Sequence, residues 1–337
     1  MKLTRIFVPL VASMVLYSCA SNNLSYESKA FKNAYASIKA EELKKNLSVI
    51  ASDEMQGRDT GSEGQKKAGK YMIDFYKNIG VSYPKALGSY YQTVPKEALK
   101  SRGKELPESE NILAFIEGTE KPEEIIVVSA HYDHVGTKDG VVYNGADDDG
   151  SGTVAVMEIA EAFQQAKKAG KGPKRSILFL HVTGEEHGLL GSKYYADHPV
   201  FDMKNTLVDL NIDMIGRSDK ENEGKNYVYV IGSEMLSSEL KVINEAANKI
   251  THNLELNYKY DDPKDPMRLY YRSDHYNFAK SGVPVAFYFD GIHADYHQPT
   301  DDVDKIDFPL LQKRAQLVFA TAWELANRKD RIVVDKK

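Results

Sequence analysis

Five short stretches of this chain carry side chains able to bind a metal ion or move a proton. They are His131-Tyr132-Asp133, Asp147-Asp148-Asp149, Glu185-Glu186, Asp213 and His297. They mix imidazole with carboxylate and offer no thiolate, a donor set that suits zinc, with manganese or cobalt as substitutes. Two metals about 3.5–4 Å apart need a bridging carboxylate and a pair of ligands each, and these stretches supply that number. Glu185 and Glu186 are adjacent, so their side chains diverge. One can coordinate metal while the other stays free as a base for water, whose pKa zinc lowers to about 7. Taken singly, each residue is most simply a solvated loop residue; five positions recurring at successive strand ends are harder to dismiss.

The elements that must position them read as compact apolar runs: Ile125 to Ala130, Ile177 to Val182, Leu207 to Ile212 and Val283 to Phe289. Runs that are apolar throughout, without alternation, predict strands covered on both faces, as in a parallel sheet. Helical stripes separate them: Val156, Ile159, Ala160 and Phe163, then Leu236, Leu240, Ile243, Ala247 and Ile250, then Leu311, Ala315, Val318, Ala322 and Leu325. Upstream, Ser37 is placed to cap a helix burying Leu43, Leu47, Ile50 and Ala51, and a second helix buries Ala68, Tyr71, Met72, Phe75 and Tyr76 before stopping at Gly80. The polar segment from Asp53 to Gly64 reads as a loop, and signals between Val81 and Gly118 are short and mixed. This alternation predicts an α/β fold, a three-layer α/β/α sandwich. In open α/β sheets ligands bind beyond the carboxyl ends of the strands, where the five stretches fall.

Composition narrows the class. With 337 residues, 44 basic and 49 acidic, the formal charge is −5, which excludes a dedicated nucleic-acid binder. A chain that is 42% hydrophobic and 28% charged is globular, and its single cysteine rules out an intramolecular disulfide. Lys2 and Arg5 precede an apolar stretch from Ile6 to Leu16 that is short for a membrane span, followed by Leu16-Tyr17-Ser18-Cys19. This resembles the lipobox of bacterial lipoproteins, in which the cysteine becomes the lipidated first residue; the alternative is ordinary cleavage after Ala20. The division expected is a signal peptide over 1–18, a tether over 19–30 and one domain over 31–330. The product expected is an exported protein tethered to a bacterial membrane only through lipidated Cys19 and facing the periplasm.

Two competing motifs lose on local grounds. Asp147-x-Asp149-x-Ser151-Gly152 with Glu158 has the spacing of an EF-hand calcium loop, but the glycines in the preceding GTKDGVVYNGA rule out the entering helix that such a loop needs. Ser273-Asp274-His275 contains the residue types of a nucleophilic triad, yet real triads converge from separate segments.

The order HYDHVG, NGADDDGSG, TGEEHGLLGS, NIDMIGR and YHQPTDD resembles the co-catalytic zinc aminopeptidases of metallopeptidase family 28, such as bacterial leucine aminopeptidases, over roughly residues 38 to 327. The resemblance implies a zinc-peptidase sandwich with a mostly parallel, mixed sheet and two zinc ions. His131 and Asp213 would hold one, Glu186 and His297 the other, with Asp148 bridging. Glu185 would be the general base, and Asp133 would orient His131. Tyr296 would stabilise the oxyanion, and the Asp148-Asp149 peptide bond would be cis. His134 and His187 read as supporting or rim residues. Arg58 could shape the rim or merely its own loop; Met267, Tyr270 and Tyr271 could line a specificity pocket or simply pack. The activity implied is that of an exopeptidase removing amino-terminal residues from peptides with a free amino terminus. The alternatives are a glutaminyl cyclase, which shares the fold but uses one zinc, and an inactive binding relative, which would have lost ligands or base. The sequence sets no oligomeric state.

Overall fold

The computed structural model describes residues 26–101, 103–262 and 264–336. Cys19 and the segment before it lie outside the described residues.

Eight strands form one sheet: β1 (Tyr91–Val94), β2 (Ser109–Ile116), β3 (Lys121–His131), β4 (Arg175–Val182), β5 (Thr206–Ile212), β6 (Tyr227–Ile231), β7 (Glu255–Asn257) and β8 (Val285–Phe289). Their order is β1-β2-β4-β3-β5-β8-β6-β7. The central run β4-β3-β5-β8 is parallel throughout, while β1, β2 and β6 join antiparallel to their inner neighbours. All four runs marked by the sequence are in that parallel centre, where β4 and β5 are buried at every residue. β2 and β6 escaped notice for physical reasons. In β2, Ser109 and Asn111 are polar yet buried, satisfied by Gln65 and Thr183 and by Gln92 and Gly191 respectively.

The helices are α1 (Lys29–Ser37), α2 (Ala40–Ile50), α3 (Glu63–Ile79), α4 (Gly152–Lys168), α5 (Leu190–Asp197), α6 (Leu240–Ile250), α7 (His275–Lys280) and α8 (Phe308–Asn327). Residues of α1, α2, α3, α4, α6 and α8 pack with Ile126, Val128, Phe179, Leu210 and Tyr288 on one face of the sheet. Tyr195 of α5 and Phe278 of α7 pack with Val127, Leu178, Leu180 and Val285 on the other. Adjacent residues of one strand thus feed opposite layers, as the pleat requires, and the three-layer sandwich follows.

Local signals explain the helix ends. Ser62 caps α3 by accepting from Gln65 N at 3.2 Å, and Gly80 ends it at φ 80, a conformation glycine adopts without Cβ strain. Asp307 caps α8 through Leu310 N at 3.0 Å, with proline in its first turn. Three expectations need correction. Ser37 closes α1 by bonding Ala34 O and does not start α2. The stripe from Leu236 begins its helix only at Leu240, and Ile250 is exposed at the helix end. Packing also starts ahead of residue 31, since Tyr26 is buried and α1 opens at Lys29. Among the described residues no helix is long and apolar enough to cross a membrane.

Candidate metal centre

Parallel register brings the chemistry to one edge. In β3, His131 pairs with Val182 of β4, so the chain reaches Glu185 and Glu186 just beyond the same edge. Ser129 of β3 pairs with Asn211 of β5, which sets His131 level with Asp213. Tyr288 of β8 pairs with Ile212, and the loop that follows β8 returns over the rim to His297. The acidic triple lies in the turn running into α4, and its Asp148-Asp149 peptide bond is cis.

Asp148 stands between two groups. Its Oδ1 is 3.3 Å from His131 Nε2, which is itself 3.5 Å from Asp213 Oδ1. Its Oδ2 is 3.0 Å from His297 Nε2, and that nitrogen is also 3.0 Å from Glu186 Oε2. The structure therefore brings all five expected ligands together. Buried His297 Nε2 and Asp148 Oδ2, although 3.0 Å apart, make no hydrogen bond among the described residues, and neither does buried Glu186 Oε1. Atoms so arranged leave the desolvation of polar groups uncompensated. Ligands around a tetrahedral ion with bonds of about 2.0–2.2 Å stand about 3.4 Å apart. The spacings of 3.0–3.5 Å fit a divalent cation on each side of Asp148.

The electrostatics point the same way. Burial would lower the His131 imidazole, but Asp213 and Asp148 carry it well above its ordinary value. Burial likewise opposes protonation of His297, yet Asp148 and Glu186 raise it to about 10. Such shifts mark a surplus of negative charge that cations would offset. Burial, opposed by His131 and reinforced by Asp213, Asp274 and Glu186, pushes Glu185 well above the usual carboxylate range. Tyr296 stacks on the His297 ring at 4.0 Å between centroids, and burial, with Asp148 and Glu186, raises its phenol far enough to keep it a hydrogen-bond donor.

Supporting groups hold this arrangement. His131 Nδ1 lies 3.0 Å from the main-chain carbonyl of Asp133, while the Asp133 carboxylate stands 3.9 Å away, so orientation comes from the backbone of the expected residue. That carboxylate instead accepts from Glu185 N at 3.2 Å and from Thr60 Oγ1 at 3.0 Å. Asp149 ties three elements: it accepts from His131 N, Gly152 N and Met214 N. Asp301 accepts from the N–H groups of Asp147 and Asp148. Arg58, fully buried, donates to the carbonyls of Tyr132, Ile50, Asn144 and Gly145, fastening the His131 and Asp148 loops to each other. Sequence reasoning did not find Thr60, Asp149 or Asp301 as supports. Only for Asp149 was there a signal, its place beside Asp148.

A cleft next to Asp148, Glu185 and Asp213 is walled by Met214, Leu269, Phe287, Phe289 and Ile292, with Arg272 and Tyr296 at its margin. Tyr270 and Tyr271 do not line it; they pack edge-to-face with each other and with Tyr276. Met267 is exposed. Ser273 accepts from Asn211, Asp274 accepts from Ser192, and the His275 ring stacks on Phe287, so the three form no triad. Glu158 accepts from Asn46 at 2.8 Å, which removes the calcium-loop reading. His187 sits at the rim with Asp59 at 2.9 Å.

More than half of the chain, residues 111–322, matches the model of peptidase family M28. The chain belongs to that family. Among M28 relatives, a probable leucine aminopeptidase of Arthroderma otae is 30% identical over 222 residues, covering 64% of this chain and 57% of the relative. The chain thus spans little more than half the length of the curated relatives it matches first. In structure it is similar to a zinc aminopeptidase from Bacillus subtilis (TM-score 0.66, 18% identity, 89% of this chain and 99% of that one). It is equally similar to Porphyromonas gingivalis glutaminyl cyclase (TM-score 0.67, 18% identity, 84% and 97%). These likenesses show the M28 sandwich and do not separate the two activities. Arg58 and Thr60 precede the matched segment, so part of the support for this M28 centre comes from outside it.

Proposed function

We propose that this chain is a metal-dependent aminopeptidase, with two zinc ions held on either side of Asp148. His131 and Asp213 would complete one site, Glu186 and His297 the other. The observation that carries the reading is the division of one carboxylate between two ligand groups, Oδ1 toward His131 and Oδ2 toward His297. A one-zinc cyclase has no use for that division. The names of the relatives, a leucine aminopeptidase and a zinc aminopeptidase, support the same activity.

Bound zinc would polarise the scissile carbonyl and make nearby water acidic enough to attack at neutral pH. Glu185, held by its main-chain N–H on Asp133, would take the proton from the attacking water and pass it to the leaving amine. The Tyr296 hydroxyl would donate to the oxyanion as charge develops there. The carboxylates of the rim would attract the free α-amine of a peptide, which disfavours blocked substrates. The apolar wall from Met214 to Ile292 would take the first side chain, so neutral apolar residues are favoured. We also assign the protein to export and tethering through Cys19, on the amino-terminal pattern of charge and apolar residues.

The experiment is hydrolysis of a panel of aminoacyl amides by the pure zinc-loaded protein. Release of leucine-like residues, loss of activity with a chelator and inertness of amino-blocked peptides are expected. Equal cleavage of blocked peptides would overturn the assignment.

A further inference from the structure

One group in this centre is left over. His134 lies three residues past His131, and its side chain is wholly buried. Its Nδ1 stands 2.8 Å from Glu186 Oε1 and 3.7 Å from Asp148 Oδ2, yet neither ring nitrogen makes a hydrogen bond among the described residues. Nearness without hydrogen-bond geometry, between a nitrogen and an oxygen that are both orphaned, is the pattern already seen for His297 Nε2 and Asp148 Oδ2. The His134 and His297 rings meet nearly edge to face, with centroids 5.7 Å apart, so they approach the Glu186–Asp148 pair from different directions. His134 meets Oε1 of Glu186 and His297 meets Oε2.

The backbone makes room for this ring. A Cβ on Gly145 would fall 2.5 Å from His134 Cγ and Cδ2, and Gly145 sits at φ 54, so glycine at that position is what admits the imidazole. The loop below is fixed as well, because His134 N donates to Arg58 O and Arg58 in turn donates to Gly145 O. A side chain with no hydrogen-bond partner among the described residues, held this tightly beside two carboxylates, has a ligand's placement.

We propose that His134 is a third imidazole ligand of the centre, binding the metal held by Glu186, Asp148 and His297. The inference rests on the metal-centre reading above and goes beyond its five ligands. It makes the two sites unequal. The Glu186 side gains four protein ligands and is nearly closed, whereas the His131 side has three and keeps a position open to the substrate, the difference that separates structural from catalytic zinc sites. The Glu186 side therefore fills first and releases its ion last.

Cobalt-substituted protein tests this without mutation, since each coordinated imidazole shows one strongly shifted N–H proton in its NMR spectrum. Two such signals are expected at one equivalent of cobalt, from His134 and His297, and a third at two equivalents, from His131. In parallel, His134→Asn should weaken the tighter zinc-binding step of the chelator-treated protein by more than a hundredfold. Loss of an outer partner typically costs about 10–100-fold, so a smaller loss would overturn the ligand role. Two shifted signals at saturation, with two equivalents bound, would remove His134 and leave the five-ligand centre intact. A protein that binds no zinc at all would remove both.

Discussion

Asp133 Oδ1 accepts the main-chain N–H of Glu185 at 3.2 Å, and this bond sets where the proposed base stands over the cleft. The other oxygen of Asp133 is occupied by Thr60 Oγ1, which comes from a loop 73 residues earlier in the chain. Thr60→Val keeps the shape and removes the donor, leaving a buried carboxylate oxygen unpaired. The expected result is a fall in kcat of about tenfold with zinc content unchanged, read by steady-state kinetics beside metal analysis. Unchanged kcat would show that Glu185 is positioned without this chain of bonds.

Glu185 makes the sharpest catalytic prediction. Glu185→Gln removes the proton carrier and preserves the shape of the site. Zinc stoichiometry should stay as in the parent, while kcat drops by about 10²–10⁴. A fully active variant would show that another group carries the proton.

The apolar wall can be trimmed where it borders solvent. Ile292 is 36% exposed, so its truncation costs the fold little. Ile292→Ala should lower kcat/KM for leucine amide by roughly fivefold, about 1 kcal/mol, with a smaller effect on alanine amide. Equal effects on both substrates would place the first side chain elsewhere.

Arg58 is a prediction about stability. Its guanidinium serves four carbonyls in the interior, and lysine cannot reproduce that fork. Arg58→Lys should cost about 3 kcal/mol or more of unfolding free energy, measured by denaturant titration, because several buried acceptors lose their donor at once.

Glu158 links pH to stability away from the metal centre. Burial, with Glu161 and Glu42 adding and Asn46 opposing, raises its carboxyl from 4.5 to about 8. A carboxyl raised in the folded state favours folding least when ionised. Its penalty is therefore absent below pH 4.5, grows as pH rises and is complete above about 8. Glu158→Gln should leave Tm almost unchanged at pH 4.5 and raise it at pH 8. An equal shift at both pH values would mean that folding does not raise the Glu158 carboxyl.

How much of this was legible in the sequence follows from where each interaction is encoded. The parallel centre was visible because β4 and β5 are buried on both faces and carry nearly unbroken apolar runs. β6 was not seen, since Tyr227 and Tyr229 are buried with their hydroxyls on Asp290 and Asp219, and a tyrosine run reads as ambiguous until those partners are known. The ligand positions were visible because strand ends in a parallel sheet share one edge, and the register of β3 with β4 and β5 delivers that sharing. The supports were hidden for the opposite reason. Thr60 meets Asp133, and Asp301 meets Asp147, across separations that only the folded loops close. His134 was visible as a residue but not as a neighbour of Glu186, because its direction depends on the turn that Arg58 fixes.

The most direct test is a crystal of the zinc-loaded protein, with anomalous scattering collected on both sides of the zinc absorption edge. Two peaks about 3.5–4 Å apart should flank the Asp148 carboxylate, one beside His131 and Asp213 and one beside Glu186 and His297. A single peak, or two peaks that do not share Asp148, would contradict the two-metal aminopeptidase.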